Sequence, residues 1–188
     1  LPFGADRPLA PFRDLISDIL GIERETNAAD LREKLKRLSE LRMDESDVAV
    51  ISTMYSLDIG QTALPAREAI DTVMVKLVRG LAHDRPTIVM LEDVQYLDNF
   101  EQQLLGQLLD ATEGEPVLLL TSWRGQIATK FQKRMDLVHL KPLDQGQVDA
   151  LAADLLGGDG IGPDLSRLVQ RTAEGNPLYL EEILKALR

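Results

Sequence analysis

Two adjacent carboxylates, Glu92 and Asp93, follow an apolar run of the sequence, TIVML at residues 87–91. The run suits a buried strand, and two like charges side by side repel each other unless a cation lies opposite them. A Mg²⁺ ion that carries a nucleotide phosphate would supply that cation, because proteins bind Mg²⁺ through one or two carboxylates together with phosphate oxygens. The alternative interpretation of the same pattern is a plain turn in solvent.

A polar group also follows the next apolar run of the chain. VLLLT at 117–121 is followed by Ser122, Trp123 and Arg124. Ligands of open α/β sheets bind at the carboxyl ends of the strands. Arg124 therefore has the position of a residue that senses a γ-phosphate, and an ordinary surface arginine in a solvated loop is the alternative.

The third feature is EGNPLYLEE at 174–182, in which Asn176 and Pro177 have the pattern of an N-cap and a first helical residue. By itself this stretch predicts only a loop and a well-capped helix. In this order and spacing, the three features together are more specific than any one of them.

Alternating helices and strands must position these groups. Asp98 and Glu101 form a capping-box pattern that predicts a helix over about 99–112, between the two apolar strands. Continuous apolar strands separated by helices predict a parallel sheet that is covered on both faces. A shorter run, LVHL at 137–140, predicts a third strand.

The remaining elements are predicted from helical spacing of apolar residues. Such spacing predicts helices near 12–20 and 66–82 before the sheet, and Asp144 with Gln147 begins a series of helices after it. The sequence therefore predicts an α/β part over 1–143 and a small helical part over 144–188.

Composition limits the function classes. The chain has 188 residues, 44% of them hydrophobic, and a formal net charge of -10. Such an acidic surface repels nucleic-acid backbones and anionic lipids, so we expect no direct nucleic-acid or membrane binding. The chain lacks cysteine, which excludes disulfides and thiolate metal sites and fits a cytoplasmic protein. Its two histidines, His83 and His139, favour neither a zinc site nor a Ser-His-Asp triad.

The quoted stretches carry a family resemblance over nearly the whole chain. The sequence resembles the ATPase module of the STAND class (signal-transduction ATPases with numerous domains), as found with bacterial adenylate/guanylate cyclases and some transcriptional regulators. The matching stretches are RPLAPFRDLI, PTIVMLEDVQYLDN, VLLLTSWRG, LVHLKPLD and RTAEGNPLYLEEILKAL. The family usually has Trp-Ala-Asp where this chain has Tyr96, Leu97 and Asp98.

The resemblance implies roles for five residues. Glu92 corresponds to the acid on the Mg²⁺ side of a Walker B motif, and Asp93 to the acid that orients the attacking water. Many relatives have Asp first, so the opposite assignment of the two roles within the pair stays open. Arg124 matches the sensor arginine that reaches the γ-phosphate. Gly175 and Pro177 match a Gly-x-Pro whose proline lies near the adenine in relatives.

One part of the family pattern is absent. A P-loop requires G-x-x-x-x-G-K-[ST], and no Gly-Lys pair occurs in the 188 residues. In the family this loop lies upstream of the stretch that matches RPLAPFRDLI. We therefore expect a partial P-loop NTPase-like sheet without its Walker A segment, followed by a helical lid subdomain. We also expect little or no ATP binding, and no meaningful hydrolysis, by this chain alone.

Two functions are compatible with these expectations. The first is a fragment of a regulatory ATPase domain, a nucleotide-dependent switch that uses ATP and Mg²⁺ in an intact multidomain parent. Its expected partners are other domains of the parent and, because relatives often assemble on activation, further copies of itself. The alternative is a nucleotide-free interaction or scaffold domain that kept the fold and lost the P-loop.

Overall fold

The computed structural model describes residues 9–23, 26–56, 65–125, 131, 133–156, 158 and 161–186. The chain divides into two compact units, Leu1–Met135 and Asp136–Arg188. The sequence placed the boundary between residues 143 and 144. Among the described helices, none combines the length and the apolarity that crossing a bilayer would require.

The described part of the first unit contains five α-helices and two strands. In chain order these are α1 Ala10–Leu20, α2 Ala28–Lys36, α3 Glu45–Ser56, α4 Arg67–Ala82, β1 Thr87–Leu91, α5 Asn99–Ala111 and β2 Val117–Thr121. Two short 3₁₀ turns, Arg37–Leu41 and Val94–Tyr96, connect neighbouring elements. The chain is thus α/β and mostly helical, with a small parallel sheet.

The apolar faces predicted for the helices form the core of this unit. Phe12, Ile16 and Leu20 of α1 and Leu104, Leu105 and Leu108 of α5 are almost fully buried. So are five residues on one face of α4, namely Ile70, Val73, Met74, Leu77 and Val78. Each large side chain of this kind stabilises the fold by about 1.5–3 kcal/mol through removal of apolar surface from water.

Helix α5 connects the two strands, and its predicted start is confirmed. The Asp98 carboxylate accepts a hydrogen bond from Glu101 N at 2.8 Å, and the Glu101 carboxylate accepts one from Asp98 N at 2.9 Å. This reciprocal cap satisfies two main-chain donors that the first helical turn leaves unpaired. It also ends the loop that leaves β1, and so limits the conformations open to residues 92–98.

Strands β1 and β2 form a parallel pair with Leu91 opposite Thr121. The prediction of a parallel pair is therefore confirmed. The prediction of a covered sheet is wrong for one face, as far as the described residues go. Its four side chains are 48–68% exposed, namely Ile88, Met90, Leu118 and Leu120.

The predicted third strand is also wrong. Residues 137–140 have no regular secondary structure, and Val138 and Leu140 are 77% and 93% exposed. A strand forms only where a neighbouring strand accepts and donates its main-chain hydrogen bonds. Within the described ranges, β1 and β2 pair with each other alone.

In the second unit, the residues that the structure describes form three α-helices, α6 Gln145–Leu156, α7 Pro163–Ala173 and α8 Pro177–Ala186. Their core consists of the buried residues Val148, Ala152, Val169, Ala173, Leu180 and Leu184. Asp144 and Gln147 cap α6 reciprocally, at 3.0 and 2.9 Å. Asn176 accepts a hydrogen bond from Leu178 N at 3.0 Å at the start of α8. Both predicted helix starts are confirmed.

Charged and polar side chains cluster around Asp44 at the start of α3. Asp44 accepts hydrogen bonds from the Ser46 hydroxyl and from Asp47 N, and Lys76 Nζ lies 2.9 Å from Asp47 Oδ1 and 3.4 Å from Asp44 Oδ2. These contacts, the Ser46 hydrogen bond first and the Asp47 N–H second, lower the pKa of Asp44 from 3.8 to about 2, against an opposing effect of desolvation. The folded state therefore favours the ionised Asp44.

We expect the free energy of unfolding to fall as the pH is lowered from about 4 to about 2. A depressed pKa stabilises the fold above the unfolded-state pKa, and that stabilisation is lost as the pH falls through the folded-state pKa. The free energy of unfolding is measured with urea at several pH values. Its slope against pH should be smaller for Asp44→Asn than for the wild type, and intermediate for Ser46→Ala. A slope equal to that of the wild type in Asp44→Asn would contradict this account.

Candidate functional site

Main-chain hydrogen bonds hold the carboxyl ends of β1 and β2 together. Ser122 N donates to Leu91 O at 3.1 Å, and Val94 N donates to Ser122 O at 3.0 Å. The Ser122 hydroxyl accepts from Asp93 N at 3.1 Å. The segment that carries the two acids is therefore fixed to the segment that follows the neighbouring strand.

Asp93 begins the turn that leaves β1. Its backbone is left-handed, with φ 53° and ψ 39°, and the 3₁₀ turn Val94–Tyr96 follows directly. Aspartate tolerates this conformation better than most residues, because its short polar side chain can bond locally. Val94, the first residue of the turn, and Leu97, which follows it, are buried, whereas the Asp93 side chain is 48% exposed. The turn thus anchors itself in the core and leaves the carboxylate accessible.

The pairing of β1 with β2 brings Arg124 close to the Asp93 carboxylate. Arg124 Nε lies 4.0 Å from Asp93 Oδ1, and the arginine side chain is 88% exposed. An ion pair this open to water contributes little to stability. The guanidinium is therefore available to an incoming anion at small cost, beside the half-exposed carboxylate of Asp93.

Glu92 is exposed at the end of β1 and has no hydrogen-bond or ion-pair partner among the described residues. In those same residues, no group of three or more His, Cys, Asp or Glu side chains is arranged to hold a metal ion. Within the described part of the chain, a cation at this site could be bound by the two carboxylates of Glu92 and Asp93. That ligand number suits Mg²⁺ that brings phosphate and water as its other ligands.

Gln95 is part of this arrangement, although no motif in the sequence points to it. Its amide nitrogen donates to Asp93 Oδ1 at 2.9 Å, and its amide oxygen accepts from Arg124 N at 3.0 Å. The only sequence signal is its position two residues after the acids. The partner in the other loop is 29 residues away in the chain, and a pattern read along the sequence does not reveal it.

Gly175 and Pro177 belong to the second unit. Gly175 has φ +72°, and a Cβ there would lie 2.6 Å from Leu143 O and 2.8 Å from Leu143 N. The same close approach contains a hydrogen bond of 2.8 Å from Leu143 N to Gly175 O. Glycine is thus required for packing at this position, independently of any ligand. Pro177 is the exposed first residue of α8.

Comparison with known proteins gives two partial matches. A family model described as a domain of unknown function (DUF8739) matches residues 144–188. A protein of Rhizobium meliloti (strain 1021), described as uncharacterized, is 28% identical over 122 residues, which are 62% of this chain and 12% of that protein. The chain therefore spans a small part of the relative's length. No solved structure matches the chain at a significant level.

Proposed function

We propose that this chain is part of a STAND-type regulatory ATPase module, in which Glu92 and Asp93 face a Mg²⁺–nucleotide complex. The observation that carries the proposal is the meeting of Asp93, the second of these acids, with Arg124 at the carboxyl ends of two parallel strands, where Arg124 Nε and Asp93 Oδ1 are 4.0 Å apart. In α/β nucleotide-binding proteins this edge of the sheet is where ligands bind. A solvated turn would not require an arginine at the neighbouring strand end.

Each residue then has a distinct role. Glu92, which has no protein partner in the described residues, binds Mg²⁺ directly or through water. Asp93 orients the attacking water, and Arg124 contacts the γ-phosphate. The roles of Gly175 and Pro177 near the adenine rest on the family resemblance alone.

The proposed fold extends beyond the two described strands. Parallel sheets are almost always covered on both faces, and the exposed Ile88, Met90, Leu118 and Leu120 supply a face on which further elements of a P-loop NTPase sheet would pack. The P-loop would belong to the intact parent. A multidomain parent is supported by the relative in which the matched region is only 12% of the length.

Calorimetry with Mg·ATP tests the proposal. We expect micromolar binding by the intact parent and much weaker binding by the 188-residue chain, because backbone N–H groups and the lysine of a P-loop provide most of the phosphate contacts. A parent that carries G-x-x-x-x-G-K-[ST] and yet shows no heat of binding with Mg·ATP would refute it. The chain serves as the matched control, since it contains the acids and Arg124 without a Gly-Lys pair.

The second candidate is a nucleotide-free interaction or scaffold domain. The absence of a Gly-Lys pair from the sequence favours it. Under this hypothesis the parent also lacks a P-loop, and the exposed apolar sheet face binds another part of the protein. The same calorimetry separates the two functions, because micromolar Mg·ATP binding by the parent excludes the scaffold hypothesis.

A further inference from the structure

Gln95 connects the two charged groups of the site through a single amide. Its Nε2 donates to the Asp93 carboxylate at 2.9 Å, and its Oε1 accepts from the main chain of Arg124 at 3.0 Å. The donor and the acceptor are at opposite positions on the amide, so only one orientation of the group makes both bonds. The amide of Gln95 is therefore held by the two loops that it joins.

The hydrogen bond from Gln95 also decides which oxygen of Asp93 is free. Both Gln95 Nε2 and Arg124 Nε approach Oδ1. Asp93 Oδ2 has no hydrogen-bond or ion-pair partner among the described residues. Rotation of a carboxylate about its last torsion is otherwise loosely restricted. With Oδ1 occupied, Oδ2 remains as the acceptor for a water or a ligand.

We propose that Gln95 is a positioning residue for the ATPase reaction: it fixes the Asp93 carboxylate relative to the loop of Arg124. The inference rests on the proposed function and adds a residue that neither the motif nor the resemblance assigns. A movement of Arg124 toward a γ-phosphate would be transmitted through Gln95 to the carboxylate that orients water. Gln95 itself does not touch the nucleotide or the water in this scheme.

Two substitutions separate the two hydrogen bonds. Gln95→Met preserves the length of the side chain and removes both bonds. Gln95→Glu keeps the oxygen that accepts from Arg124 N and replaces the amide donor with an oxygen that repels Asp93. Gln103→Met, on the exposed side of α5, is the matched control. Thermal unfolding of each variant tests whether it folds. If Gln95→Met does not fold, the kinetics of Gln95→Glu decide whether Gln95 is a positioning residue.

The readouts are steady-state ATPase kinetics of the intact parent and hydrogen–deuterium exchange at the Arg124 amide. We expect kcat to fall about 10- to 100-fold in both Gln95 variants, with the KM for ATP within about twofold of wild type, because misplaced catalytic groups reduce rate more than binding. Exchange at Arg124 should accelerate in Gln95→Met and remain slow in Gln95→Glu. Gln103→Met should match the wild type in both readouts.

The outcomes distinguish the positioning role from the proposed function. A Gln95→Glu variant with wild-type kcat would show that Gln95 only joins the loops, and would overturn the positioning role alone. Unchanged exchange at Arg124 in Gln95→Met would show that the connection is absent in solution, with the same consequence. A wild-type parent that binds and hydrolyses no ATP would overturn the proposed function, and the positioning role with it.

Discussion

Replacing Glu92 and Asp93 with their amides, Glu92→Gln together with Asp93→Asn, is expected to lower the ATPase rate of the intact parent about 10²- to 10⁴-fold. The two residues follow β1, and Asp93 lies beside the Arg124 side chain. The amides preserve size and remove both negative charges. Under the proposed function, Mg²⁺ would then lose its protein ligand, and the attacking water would lose its base or orienting acceptor. The rate is measured by phosphate release at saturating Mg·ATP.

The matched control changes the same charge at the other end of the sheet. Glu113 and Glu115 are exposed in the turn that precedes β2, and Glu113→Gln with Glu115→Gln also removes two negative charges. We expect this pair to keep an ATPase rate close to that of the wild type. If the Glu92–Asp93 double variant retained the wild-type rate, the assignment of these acids would be wrong, whatever the control showed.

Gly80→Ala is expected to destabilise the first unit by about 1–3 kcal/mol. In most helices alanine is more favourable than glycine by about 1 kcal/mol, so the expected sign is the reverse of the usual one. The reason is the close contact of α4 with the 3₁₀ turn Arg37–Leu41. A Cβ at position 80 would overlap the carbonyl oxygen of Leu41 and lie 3.2 Å from its carbonyl carbon and its Cβ. A main-chain carbonyl cannot move aside by changing rotamer.

Gly106→Ala in α5 is the matched control for this substitution. The nearest atom to a Cβ at position 106 is a guanidinium nitrogen of Arg134, at 3.9 Å, which is an ordinary contact. Here the helix propensity decides, and we expect a gain of about 0.5–1 kcal/mol. Urea unfolding of both variants measures the difference. A Gly80→Ala protein as stable as the wild type would show that α4 and the turn do not approach so closely.

Some features of the site could be predicted because their causes lie within a few residues. The caps Asp98–Glu101 and Asp144–Gln147 each join residues three apart, and both were evident from residue type and spacing. Strands β1 and β2 were evident as short apolar runs between turn residues. The position of the acids and of Arg124 after these strands followed directly, together with the parallel pairing.

Other features could not be predicted from local patterns. LVHL has the composition of a strand, but the hydrogen bonds that would make it one must come from a neighbouring strand, and none of the described strands pairs with it. Likewise, apolar side chains on both faces of β1 predicted burial on both faces. The exposed Ile88 and Met90 show that burial depends on which elements pack there.

By itself, the sequence determined strands β1 and β2 and several of the helices, and which charged residues follow the two strands. Only the tertiary structure decided that Asp93, Gln95 and Arg124 meet, and that Gly80 must lack a side chain beside Leu41. The physical reason is the distance along the sequence between the residues that interact. Propensity, capping and periodicity arise from interactions between residues a few positions apart, whereas the partners of Gln95 and Gly80 are set by strand pairing and helix packing between distant segments.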